Sequence, residues 1–258
     1  MKNHKAKLSA ILIAGVLLKM AVEGNIEKLR ADSNLGKISF STEVRAKLGQ
    51  NLAVALLGGF RGVVADFVWF EVETAYEEQI WYKLKEQAEL VVVLQPHCVL
   101  FWDMGFWHMA YNASYAESKN FRYPNQAYRL KAQQDWIHAG KEFLERGIQN
   151  NPTGYQLYFS LGYLICDRFK FNDPLSSIPY LKKAASDPNA PSYVVRMIGH
   201  MYEKGGKKEE AYQWWKQLWL QDHKKNPQQL WDKIAEWGYQ SEEKLNIPSS
   251  ERVFPSKK

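Results

Sequence analysis

Cysteine is nearly missing: Cys98 and Cys166 are the only two in the chain. They form no Cys-x-x-Cys pair and no spacing that suits a disulfide framework or a structural zinc site. Both fall among bulky residues on expected helices, where a thiol serves as a small buried hydrophobe. A Cys98–Cys166 bridge is the other reading. There is also no Gly-rich phosphate loop, no Gly-x-Ser-x-Gly and no His-Glu-x-x-His. Nucleotide-binding, serine-hydrolase and zinc-protease chemistry therefore have no footing, and no catalytic residue and no cofactor is expected. Strict apolar–polar alternation, the mark of half-buried strands, is almost absent, which points to an all-α fold. The net charge is +6, yet no dense lysine and arginine stripe lies along one face, so no nucleic-acid partner is expected.

What the chain has in plenty is aromatic residues, 14% of the total, with 10 Trp and 14 Tyr. Its 46% hydrophobic content over 258 residues supports one elongated domain or two small ones. Lys2, Lys5 and Lys7 precede an apolar stretch over residues 8–22, broken only by Lys19. That is the layout of a signal or signal-anchor. No Ala-x-Ala cleavage site follows it. The expectation is an anchor over residues 1–22, with its lysines in the cytoplasm and the bulk of the chain outside, on the periplasmic side. The competing reading is an amphipathic first helix of a soluble protein. Residues 23–42 are polar, with a turn-like Asn34-Leu35-Gly36, and read as a linker.

Residues 43–94 read as an N-terminal helical segment. A second apolar run over 52–70 contains Gly58-Gly59, Arg61, Gly62 and Asp66. Charges at mid-bilayer are expensive, which argues against a span. The expected structure is a helix ending near Gly58 and a buried helix starting about Phe60, with Arg61 and Asp66 as buried polar anchors. Helical spacing continues to Leu94, and Pro96 stops it.

Residues 95–245 carry a pattern that recurs. The clearest copy is Ile198, Gly199, Tyr202, Gly206, Ala211 and Trp215. An earlier one gives Tyr158, Leu161, Gly162 and Ile165, then Ser177, Leu181, Ala184 and Pro188. The first has Gly105 on a leading helix over 99–111, then Gly140, Leu144, Gly147 and Pro152 on a second helix over 134–149. Between those two helices, residues 112–133 read as a polar, tyrosine-rich insert. A few extra residues lengthen the next turn around Phe171 to Pro174. This pattern resembles the tetratricopeptide (TPR) helix pair, in which a glycine on the first helix lets the second approach closely. About three such units make a short solenoid, and a last helix over 228–245 caps it. Residues 246–258 read as a tail.

The order of segments also resembles bacterial membrane-anchored TPR proteins of undefined function. The likeness rests on Gly59-Phe60-Arg61-Gly62, Ala65-Asp66 and Trp69, then Leu94 and Pro96, Gly147-Ile148 with Pro152, Phe159 with Leu161-Gly162, and Ala184 with Pro188 and Pro191. The chain departs at Gln95, where such proteins often carry an acidic residue. The resemblance implies a short TPR-like solenoid behind an N-terminal anchor, and a scaffold or assembly role at a membrane.

TPR stacks offer the inner face of each first helix as a concave groove. Counted from the close-approach glycines, the groove positions are Trp102, Phe106 and Met109, then Gln156, Phe159 and Tyr163, then Tyr193, Arg196, His200 and Lys204. An aromatic floor with a basic end suits a peptide or helix carrying an acidic end. The alternative is a groove filled by the chain's own residues 43–94. The functional expectation is a membrane-tethered, non-enzymatic scaffold or adaptor for an envelope complex. A permanent structural subunit of one large membrane complex stands beside it. His97, Cys98, Asp103 and His108 crowd one stretch, but their spacing matches no metal site.

Overall fold

The computed structural model describes residues 59–220 and 228–255, without the side chains of 228–230. The anchor expected over 1–22, the linker over 23–42 and the 43–58 part of the helical segment lie outside the described residues. All regular structure among the described residues is helical, so the fold is all-α. No described helix is long and apolar enough to cross a membrane.

Helices α1 (Arg61–Glu77) and α2 (Trp81–Leu94) form a hairpin. Gln79, in the left-handed region at φ 57°, turns the chain between them. Arg61 Nη2 donates to Leu94 O at 2.9 Å, so a cation satisfies a carbonyl at the end of α2 where the helix dipole is negative. The helix beginning near Phe60 is only half buried. Val64, Ala65, Val72 and Ala75 are covered, while Phe60, Val63, Phe67 and Phe70 are 53%, 50%, 69% and 70% exposed. Those four share one stripe of α1, away from α2, because three- and four-residue steps keep side chains on one helix face.

After Pro96, α3 (Val99–Trp107) runs unbroken through a π-helical turn (His108–Ala113) into α4 (Ser114–Ser118). Next comes α5 (Gln126–Asn150), whose N-cap Asn125 accepts from Tyr128 N at 3.2 Å. The insert expected over 112–133 is therefore mostly helix, and only residues 119–125 connect. Ala, Gln, Lys, Arg and Leu dominate the start of α5, and such residues lose little on entering a helix.

The remaining helices follow the expected phase. They are α6 (Gln156–Cys166), α7 (Pro174–Ala185), α8 (Ser192–Lys204), α9 (Lys208–Leu220) and α10 (Gln228–Lys244). Each packs on the next in sequence from α5 onward, and α3 packs on α5 and α6. Asp173 caps α7 by accepting from Ser176 N at 3.0 Å, and Pro174 takes the first helical position, where no N–H is needed. At each hairpin a glycine meets a bulky side chain of the following helix: Gly105 meets Phe143, Gly162 meets Leu181 and Gly199 meets Trp215. A Cβ at Gly162 would lie 2.8 Å from Leu181 Cδ2 and Cγ. The facing small residues Ser177 and Ala211 are buried, as are Leu181, Ala184 and Trp215.

The last helices close on an aromatic core of Tyr212, Trp215, Leu218, Trp231, Ile234 and Phe254. The segment read as a tail thus returns to the domain. Glu242, fully buried, accepts from Val253 N at 2.6 Å, and the ring of Phe254 lies against Gly238.

Gly162→Ala is expected to cost roughly 1–3 kcal/mol, because the helix pair must spread or Leu181 must leave its rotamer. Phe254→Ala is expected to cost about 3–5 kcal/mol through the cavity it leaves. Chemical denaturation followed by helical circular dichroism measures both; unchanged midpoints would contradict this packing.

Candidate functional site

Three helices build one continuous aromatic face. Phe159 and Tyr163, four apart on α6, stack with centroids 6.0 Å apart. Tyr193 on α8 meets Phe159 edge to face at 5.4 Å. With Phe106 and Trp107 from α3 and Tyr155 before α6, these rings line a cavity of about 460 Å³. Its polar lining is Asp103, Gln156 and Ser160. A second cavity, about 450 Å³, continues past Tyr193, which lines both; Arg196, His200, Glu203 and Lys204 line it.

The structure thus brings together Phe106, Phe159, Tyr163 and Tyr193, and next to them Tyr193, Arg196, His200 and Lys204. Phe106 is nearly buried and forms floor, while Tyr163 and Tyr193 are open to solvent. His200 is held in place: its ring lies 5.1 Å from Trp215 and 4.6 Å from Trp237, and Nδ1 is 3.3 Å from Glu203 Oε2. That contact, more than Lys244 nearby, holds the Glu203 carboxyl below its ordinary range. Arg196 Nη1 donates to Ser192 Oγ at 3.1 Å, one turn back on α8.

Trp102 and Met109 are not groove residues. Trp102 is core: its indole donates to Pro96 O at 2.8 Å, and its ring packs on Phe143 at 4.8 Å and against Gly147. Trp102 turns toward α5, where Gly147 leaves room for close approach, and Met109 is fully buried in the π-helical turn. Asp66 is exposed and so is no buried anchor; Arg61 holds the end of α2. Residues 61–94 line neither groove cavity. They meet α3 elsewhere, with Trp69 and Phe101 at 5.1 Å.

Asp103 is the residue that the sequence reading missed as part of the groove. Ser160 Oγ donates to its Oδ1 at 2.5 Å across the α3–α6 contact. Burial pushes its carboxyl above the ordinary value, against the opposing effect of the Ser160 bond. A signal existed: Asp103 is the only charged residue in α3 and precedes Phe106 by three positions, one helical turn.

The other cluster of ligating residue types is scattered. His97 is exposed, with Nδ1 3.0 Å from Asn150 O. His108 is buried near Asn112 at 3.1 Å and Glu73 at 3.8 Å, and burial lowers its pKa. Cys98 and Cys166 are free thiols. Among the described residues no group of three or more His, Cys, Asp or Glu is placed to hold a metal ion.

A larger cleft, about 1130 Å³, lies between the α1–α2 turn, α4, the start of α5 and the loop after α6. Its cations are occupied by the fold's own rings. Lys170 lies 4.6 Å above Tyr111, Arg129 5.7 Å from Phe121 and Lys119 5.9 Å from Tyr115. The groove between α3, α6 and α8 is therefore the better candidate, being smaller but holding a carboxylate whose burial no cation among the described residues offsets.

Compared with protein-family models, curated proteins and solved structures, the chain matches none.

The folded state raises the Asp103 pKa above its unfolded value. Its contribution to stability is therefore present at low pH and lost as pH rises from the ordinary carboxylate range through the folded value. Asparagine escapes that loss while keeping an acceptor for Ser160. Asp103→Asn is expected to be more stable than the wild type at neutral pH, with the advantage vanishing below the ordinary carboxylate range. Urea unfolding across pH measures this; a variant less stable at neutral pH would contradict it.

Proposed function

We propose that the chain is a non-enzymatic, TPR-like scaffold that holds a protein partner in the groove of its helical hairpins. The observation that carries this reading is the convergence of Phe159, Tyr163, Tyr193, Arg196 and His200 on two adjoining cavities that share Tyr193. These residues were picked out by counting from repeat glycines. The recurring contacts of Gly105, Gly162 and Gly199 with Phe143, Leu181 and Trp215 support a TPR-like packing of the hairpins. Solenoids of this kind use the inner face of the leading helices for extended ligands. In this proposal the apolar stretch over residues 8–22 tethers the scaffold to a membrane, with the bulk of the chain on the periplasmic side. The basis is the lysine-flanked apolar pattern alone.

A second reading has its own support. The stripe of Phe60, Val63, Phe67 and Phe70 on α1 exposes large apolar groups in one row. Such a row suits a permanent contact within a membrane complex, where interfaces resemble divided cores. The two readings place the partner on different faces of the protein.

Affinity capture from solubilised native membranes separates them. With the wild type, a defined partner set is expected. Replacing Phe159 and Arg196 together by alanine is expected to abolish it while helical circular dichroism shows the variant still folded. If that variant keeps the full set and Phe67→Ser with Phe70→Ser loses it, the permanent-subunit reading replaces the adaptor.

A further inference from the structure

The two halves of the groove carry opposite chemistry. Between α3, α6 and α8, six aromatic rings and one carboxylate line the cavity, and no lysine, arginine or histidine among the described residues joins them. Aromatic faces attract cations through their quadrupoles, and a carboxylate adds a full negative charge. Asp103 keeps part of itself for a ligand: Ser160 engages Oδ1, and Oδ2 accepts no hydrogen bond among the described residues. A carboxylate so placed, without a cation, costs free energy in the empty protein. The Ser160 bond ties α3 to α6 but engages one oxygen only, and a cationic ligand would supply a partner for the other.

We infer that this half of the groove is a cation box for a lysine or arginine side chain of an extended segment of a partner protein. The charged head lies against Phe159, Tyr163 and Tyr193 and pairs with Asp103. The inference deepens the groove-binding reading above and rests on it. The other half argues for a peptide in place of a small free cation. Beyond Tyr193 the lining carries Arg196 and Lys204 against one carboxylate, Glu203, which His200 engages, and this excess of cations suits an acidic residue. Only a chain that crosses Tyr193 engages both halves. The recognised segment thus carries a cationic and an acidic side chain, separated along an extended backbone.

Selection of a random peptide library on the purified full-length protein tests this, with Asp103→Asn and Tyr193→Ala in parallel. Peptides enriched in lysine or arginine are expected from the wild type. Changing that cation to glutamine is expected to weaken binding about tenfold, as loss of a charge-assisted, ring-stacked contact should. The same change is expected to matter little in Asp103→Asn, whose melting temperature confirms an intact fold. Peptides without cation preference that still need Tyr193 would overturn the box and leave the groove. A cation preference undiminished in Asp103→Asn would also overturn it. No selected peptide with the wild type would overturn both the box and the groove reading.

Discussion

Each hairpin from α3 to α9 closes where a glycine on its leading helix lets a bulky side chain of the trailing helix reach the backbone. Phe143 covers Gly105, Leu181 covers Gly162 and Trp215 covers Gly199. Any Cβ at these places would force the helices apart, and protein cores leave little slack for that. The contact uses one face of the leading helix. It fixes by rotation which side chains turn the other way. On α6, Gly162 and Leu161 face the core, Tyr163 faces out, and half-buried Phe159 lies between, packed on Ile178, Leu181, Ile198 and Met201; on α8, Gly199 and Ile198 are buried while Tyr193 is exposed. The groove follows from the way the hairpins close.

Helix α9 carries apolar side chains that need cover on the side away from α8. Here α10 and the returning segment provide it together. Trp215 is shared between the glycine contact at Gly199 and the terminal aromatic core that includes Trp231 and Phe254. The buried Glu242 carboxylate is offset by backbone donors at Val253 and Phe254, which ties the end of the chain to α10. The groove's basic end leans on the same unit, since His200 is wedged between Trp215 and Trp237. Capping and the chemistry of the groove are therefore mechanically linked at α8.

Much of this was legible in the sequence, and the reasons are local. The spacing of Gly162, Ser177 and Leu181, and of Gly199, Ala211 and Trp215, reports direct neighbours in one hairpin. The last helix, expected over 228–245, runs Gln228–Lys244, and the pattern positions of the two preceding hairpins fall on α6 to α9. The insert over 112–133 misled because polarity and tyrosine content were read as loop, although its second half is rich in good helix formers. Trp102 and Met109 misled because α3 is apolar nearly all round, so periodicity alone leaves its core face undecided. Asp66 lies in an apolar run, which points to burial, yet it is exposed, as are neighbouring Phe67 and Phe70. The role of Asp103 needed the partner helix: only the placement of Ser160, fifty-seven residues away, reveals a carboxylate inside an aromatic cavity.

The central claim is that glycine contacts set the rotation of the leading helices and thereby leave the aromatic groove open. Nuclear Overhauser contacts in the intact protein test it most directly. The account predicts contacts from the Gly162 α-protons to the Leu181 methyls and from Gly199 to the Trp215 ring, the latter shifted upfield by ring current. It also predicts Phe159 ring contacts to both Tyr163 and Tyr193. Glycine α-protons free of those contacts, or a Phe159 ring that contacts neither Tyr163 nor Tyr193, would contradict it.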